Sequence, residues 1–169
     1  MDMENLYDLF VEQLRDIYYA ENQLLKALKK MSEKATCPDL SAAYSEHLEE
    51  TRGQIETLER VMQSLDLEVK GEKCEAIMGI LKEADELISE TENEAVRDAA
   101  MILAAQKVEH YEIATYGTLC AFADCLGLDA QAELLRNILA EERSADEKLT
   151  KLAMNLKNGV NKTAMQEAA

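Results

Sequence analysis

Four stretches of this sequence, each about thirty residues long, carry apolar side chains at alternating steps of three and four, and carboxylates interrupt each near its middle. That spacing lines one face of a long α-helix, so the chain has four such faces to bury against one another. The first row is Leu6, Phe10, Leu14, Ile17, Glu21, Leu24, Leu28 and Met31. The second is Tyr44, Leu48, Thr51, Ile55, Leu58, Met62 and Leu65, flanked by a row of Leu40, Ala43, His47, Glu50, Gln54 and Val61. The third is Ile102, Ala105, Glu109, Glu112, Tyr116, Leu119, Ala123 and Leu126, and the fourth is Ala132, Leu135, Leu139, Glu142, Asp146, Leu149, Ala153 and Leu156. Unpaired carboxylates in such rows are costly, and they require a partner cation, a proton or an open cavity.

With one Pro, six Gly and no Trp among 169 residues, little in the chain breaks helices, and the expectation is an all-α protein with a single core. The formal charge of −16 argues against a nucleic-acid backbone or an anionic membrane surface as the main partner, since both select for clustered Lys and Arg. Met1-Asp2-Met3-Glu4 is acidic and does not follow the basic-then-apolar layout of a secretory signal. The longest uncharged run, Ile113 to Ala123, falls short of the roughly 20 apolar residues of a spanning helix. A soluble, cytoplasmic protein is expected. Cys37, Cys74, Cys120 and Cys125 form no C-x-x-C pair and are expected as free thiols packed as small hydrophobes.

The periodicity predicts helices over Glu4 to Lys34, Asp39 to Leu67, Glu94 to Leu126 and Asp129 to Lys157. Pro38 starts the second, and Gly127 closes the third as a left-handed cap. Between Glu68 and Asn93 a linker with Gly71 precedes a shorter amphipathic helix, about Cys74 to Ser89, which reads as a crossover joining two helical hairpins out of up-down order. The bundle domain is expected to occupy residues 1–157, with residues 158–169 a loose tail.

In an antiparallel bundle the midpoints of equal-length helices lie at one height, so Glu21, Glu50, Glu109, Glu112, Glu142 and Asp146 should meet in one layer. Glu21 to Glu50 and Glu112 to Glu142 are nearly equal intervals, as if each hairpin supplied one carboxylate per helix and Glu109 were an addition. Two divalent cations would neutralise four of those six charges, and oxygen donors with an imidazole suit iron or manganese. The alternative is a hydrated or partly protonated polar layer. His47 lies one turn from Glu50 on the same face, where it can act as a ligand or orient one. His110 is turned about 100° from Glu109 and is expected beside the site or at the surface.

Tyr19-Ala20-Glu21-Asn22-Gln23, His47-Leu48-Glu49-Glu50-Thr51, Gln106 through Ala114 (QKVEHYEIA) and Ala140-Glu141-Glu142 resemble the YciF-like bacterial stress-response family of the ferritin-like superfamily, with similarity spanning about residues 4–157. The resemblance implies a ferritin-like antiparallel four-helix bundle with a helical crossover, a homodimer and a di-iron site. Glu109-x-x-Glu112 is similar to the pair that rubrerythrins carry on their third long helix. Where ferritin-like di-iron sites usually place Glu-x-x-His on the second and fourth helices, this chain has Glu50-x-x-x-Gln54 and Glu142-x-x-x-Asp146.

The expected function is therefore a di-metal stress-response protein, with iron or manganese held by Glu21, Glu50, Glu109, Glu112, Glu142 and Asp146 and with His47 and Gln54 beside them. Its chemistry would be oxidation of Fe(II) or reduction of peroxide or dioxygen. The rival is a non-catalytic helical dimer that has lost the metal and acts as a structural or interaction module. A DNA-coating mini-ferritin is disfavoured by the charge, and a storage cage by the lack of a fifth long helix.

Overall fold

The computed structural model describes residues 3–154 and 160–167. The elements are α1 (Leu6–Lys34), α2 (Pro38–Ser64), α3 (Glu75–Glu90), α4 (Glu94–Cys125), α5 (Asp129–Met154) and α6 (Val160–Glu167). Helices α1, α2, α5 and α4 form a four-membered ring in which each packs on two neighbours, with α3 laid on α4 and α1. Cross-helix contacts fix the directions. Tyr18 meets Glu59 and Ser41 meets Ser32, so α1 and α2 run antiparallel. Asp124 meets Arg136 and Gln106 meets Thr150, so α4 and α5 do as well. Gln131 meets Ser64 and Lys148 meets Glu46, which makes α2 and α5 antiparallel too. The fold is the ferritin-like antiparallel bundle with a long crossover carrying a short helix.

Local chemistry sets the ends of these helices. Asn5 and Asn93 cap α1 and α4, their side chains accepting from the Asp8 and Val96 amides at 3.0 and 2.9 Å. Gly127 takes φ +69 after α4, and the Leu128 amide reaches back to the Ala123 carbonyl at 2.9 Å. Asp66 plays the same part after α2 at φ 55, so that helix stops at Ser64, short of the expected Leu67. The crossover lies close on α1: Glu72 N donates to the Arg15 carbonyl at 3.2 Å, and a Cβ on Gly71 would come within 2.9 Å of Tyr19 Cβ.

The apolar rows fill two clusters. One gathers Phe10, Leu14, Ile17, Leu24, Leu58, Val61, Met62, Tyr116, Leu119 and Leu135 with their neighbours. The other gathers Leu28, Met31, Leu40, Tyr44, Met101, Ile102, Leu149 and Val160 with theirs. Full burial of each large side chain stabilises by about 1.5–3 kcal/mol, and truncating one such as Leu58 to Ala costs about 2–5 kcal/mol. All four cysteines are free thiols.

The expected loose tail is partly replaced by α6, whose Val160 and Ala164 are buried one turn apart and pack it against α4 and α5. Two apolar contacts in one short helix make too brief a period to stand out in the sequence. The rest of that tail, and the last residues assigned to the fourth long helix, lie outside the described residues. Among those described, no helix is long and apolar enough to cross a membrane.

Candidate metal centre

Between the two apolar clusters lies a layer of acids. Glu21 on α1, Glu109 and Glu112 on α4, and Glu142 on α5 are buried, as is His47 on α2. Helices α1, α4 and α5 contribute because a carboxylate replaces an apolar residue in the inward row, and α2 contributes through His47. His47, Glu109, Glu112 and Glu142 each bring one donor atom into a group whose members all lie within 4.8 Å of one another. His47 Nε2 is 3.3 Å from Glu109 and 3.6 Å from Glu142, while its Nδ1 is 3.1 Å from Glu50. In the neutral ring, an Nδ1–H donating to the half-buried Glu50 leaves the Nε2 lone pair facing the layer. Glu21 accepts from the hydroxyl of the fully buried Tyr116 through one oxygen.

The remaining oxygens are the chemically telling part. Glu21 Oε2, Glu109 Oε2 and both oxygens of Glu112 and of Glu142 are buried with no hydrogen-bond donor. A buried ionised carboxylate in that condition is strongly disfavoured. Accordingly, burial pushes Glu21 and Glu109 up to about 8, and the charge of Glu142 adds to the effect on Glu21. Burial and the neighbouring acids raise Glu112 and Glu142 well above the usual carboxylate range. Burial works to strip His47 of its proton, but the Glu50 hydrogen bond and the charges of Glu142 and Glu21 outweigh it, so its pKa is raised. The same hydrogen bond holds Glu50 below its ordinary value.

Oxygen donors without partners, a neutralisable imidazole with its second nitrogen anchored, and a charge that protons or cations must offset are the donor set of a hard or borderline divalent ion. The residues present fit a metal ion.

The layer brings together Glu21, His47, Glu109, Glu112 and Glu142, with Glu50 behind His47. It does not bring in Gln54 and Asp146. Gln54 is buried, but its amide donates to Glu141 at 3.0 Å across the α2–α5 seam. Asp146 is half-buried on the α4–α5 seam, 3.4 Å from both Gln106 Nε2 and His110 Nε2. The reason is the partner each one meets on a helix seam: Glu141 takes the Gln54 amide, and Gln106 with His110 faces Asp146, so neither side chain turns into the layer. His110 is exposed, at 70 % of its side chain, as expected from its offset from Glu109.

Tyr44 and Asp98 were not legible as polar features of the interior. Tyr44 sits in an apolar row, yet its buried hydroxyl has no partner. Burial and the charges of Asp98 and Glu109 raise its pKa. Asp98 accepts from Thr36 N at 3.0 Å, Thr36 Oγ1 at 2.6 Å and Cys37 N at 2.7 Å, partners far away in sequence.

The sequence and the fold have close counterparts. The Escherichia coli (strain K12) protein YciF is 48% identical over 169 residues, covering 99% of this chain and 100% of that protein. The crystal structure of the E. coli stress protein YciF superposes with a TM-score of 0.87 at 49% identity, over 90% of this chain and 97% of that one. YcfI of Rhodopseudomonas palustris, described as a candidate structural protein, does so with a TM-score of 0.88 at 49% identity, over 90% and 98%. A Xanthomonas campestris protein with a TM-score of 0.70 at 20% identity, over 95% of this chain and 98% of its own, shares the fold. The family described as DUF892, a domain of unknown function, matches residues 5–165. By that match and by its identity to a full-length relative, the chain belongs to the YciF-like DUF892 family.

Proposed function

We propose that this chain is a stress-response protein that binds iron or manganese at the centre of its bundle. The observation that carries the reading is the set of buried carboxylate oxygens of Glu21, Glu109, Glu112 and Glu142 that have no donor. Four buried carboxylates would be balanced by two divalent cations. Glu109, Glu112, Glu142 and His47 would hold one, and Glu21 with the shared acids a second. A bound redox-active ion supplies electron transfer, here the oxidation of Fe(II) coupled to reduction of dioxygen or peroxide.

The chain's own residues prepare that chemistry. Glu50 fixes the His47 ring and its tautomer, and Tyr116 orients Glu21 by donating to Oε1. Apolar clusters on both sides exclude water, which raises the energetic weight of any charge placed between them. The acids take up protons in the absence of a cation and release them as one enters. The protein would be a homodimer acting on small molecules, with neither nucleic acid nor membrane as partner.

A second reading has its own observation. His47, with its raised pKa, stands between Glu109 and Glu142 and can serve as an internal cation for a metal-free structural module. Anaerobic titration with Mn(II), followed by spin resonance and thermal melting, separates the two. The metal reading expects bound Mn(II) near one or two per chain and a melting temperature that climbs with Mn(II). A flat melting temperature with all Mn(II) free would leave the structural module as the function.

A further inference from the structure

Two openings lead to the acid layer, and their walls differ. On the α2–α5 side a narrow cavity of about 10 Å³ reaches His47 and Glu109 past Glu50, Lys148 and Tyr44. On the opposite side a cavity of about 20 Å³ reaches the same two residues through Leu24, Ala27, Ala84, Ala104 and Val108. The second lies behind a surface groove of about 420 Å³ between α1 and α3. Ala27, Met31, Leu81 and Ala84 belong to the walls of both the groove and the cavity, so these four side chains are all that stand between the two.

Before His47 and Glu109, the inner walls offer no side chain that hydrogen-bonds. A water or peroxide molecule entering there would give up hydrogen bonds without replacement, and a hydrated cation far more. A cavity of that size holds about one small molecule, and apolar cavities stay dry. Those conditions suit dioxygen.

We propose that the α1–α3 groove and the alanine-walled cavity behind it are the dioxygen entry path to the acid layer, separate from the charged opening at Glu50 and Lys148. Ala27 and Ala84 set its width, because both stand where groove and cavity join. Helix α3 thereby does more than connect the two hairpins: its Leu81 and Ala84 roof the path. This assignment rests on the metal reading for its purpose but not for its test.

Dioxygen is paramagnetic, so relaxation of methyl signals in metal-free protein under oxygen pressure locates where it resides. The expected result is relaxation at Ala27, Ala84 and Ala104 several-fold stronger than at the buried methyls of Leu58 and Leu135, which line neither the groove nor the cavity. Ala84→Leu, at a half-buried site, should abolish the excess at Ala104 while leaving Mn(II) binding unchanged. Ala27→Leu serves as the second variant should the first disturb folding. In loaded protein both should slow Fe(II) oxidation by dioxygen several-fold more than oxidation by peroxide. Uniform relaxation across the core, or an excess at Ala104 that survives both variants, would overturn the path. Loss of Mn(II) binding in the unsubstituted protein would overturn the metal reading instead.

Discussion

Asp98 and Glu112 are both buried carboxylates of α4, at 2 % and 0 % exposure, and their surroundings differ completely. Asp98 accepts from the Thr36 amide, the Thr36 hydroxyl and the Cys37 amide, satisfying the orphan donors where the chain turns from α1 into α2. Glu112 has two oxygens and no donor. Burial alone therefore does not mark a functional acid. An acid whose acceptors are filled belongs to the scaffold, and one whose acceptors are empty has been left available for a proton or a cation.

The largest effect expected from that contrast is on folding. Asp98→Ala should cost about 2–4 kcal/mol by stranding donors at the turn, a melting temperature lower by about 5–12 °C for a chain of this size. Mn(II) binding per folded chain should persist; its loss would show that scaffold and site are not separable. Glu112→Gln should do the reverse, raising the stability of metal-free protein at pH 8 by about 1–3 kcal/mol while removing the Mn(II)-dependent rise in melting temperature. That gain should vanish below pH 4.5, where the unfolded carboxyl is protonated as well.

The pH profile of unsubstituted, metal-free protein tests the layer as a whole. Glu21 and Glu109 titrate near 8 when folded against an ordinary 4.5, so across that window the folded chain holds protons the unfolded chain has released. Stability is greatest at the acid end of the window and falls as pH rises through it. His47, also raised, contributes in the same direction above its ordinary value of 6.5, and Glu50, lowered, matters only at the acid end. Melting temperature should fall steadily between pH 5 and 8; a rise would mean that the acids are ionised and compensated. Tyr116→Phe removes the donor to Glu21 and should cost about 1 kcal/mol at pH 8. His110→Ala, at an exposed pair with Asp146, should shift stability by less than about 0.5 kcal/mol in calorimetry.

The parts of the site legible in the sequence are those where a carboxylate breaks an apolar row. Glu21, Glu109, Glu112 and Glu142 stand out because their neighbours at three and four residues are buried Leu, Ala and Tyr. His47 was harder, because α2 has a wide buried face whose flank also carries Gln54. Gln54 and Asp146 sit in inward-reading rows, and only the positions of Glu141 and of Gln106 with His110 decide where they turn. Asp98 could not be found by periodicity, since its meaning comes from a turn some sixty residues earlier. The four long helices and the crossover were readable because each repeats its pattern over several turns. Helix α6, held by Val160 and Ala164, does not.

The acid layer also divides the interior. Phe10, Leu14 and Leu119 lie in one apolar cluster and Leu40, Met101 and Leu149 in the other, with the polar layer between them. Each cluster is a candidate cooperative unit able to open without the other, with the division as the plane of least resistance. Cations gripping all four long helices at that plane would act as a rivet between the halves. The breathing of the bundle would then register metal occupancy far from the layer itself, at α6 and at the α4–α5 turn.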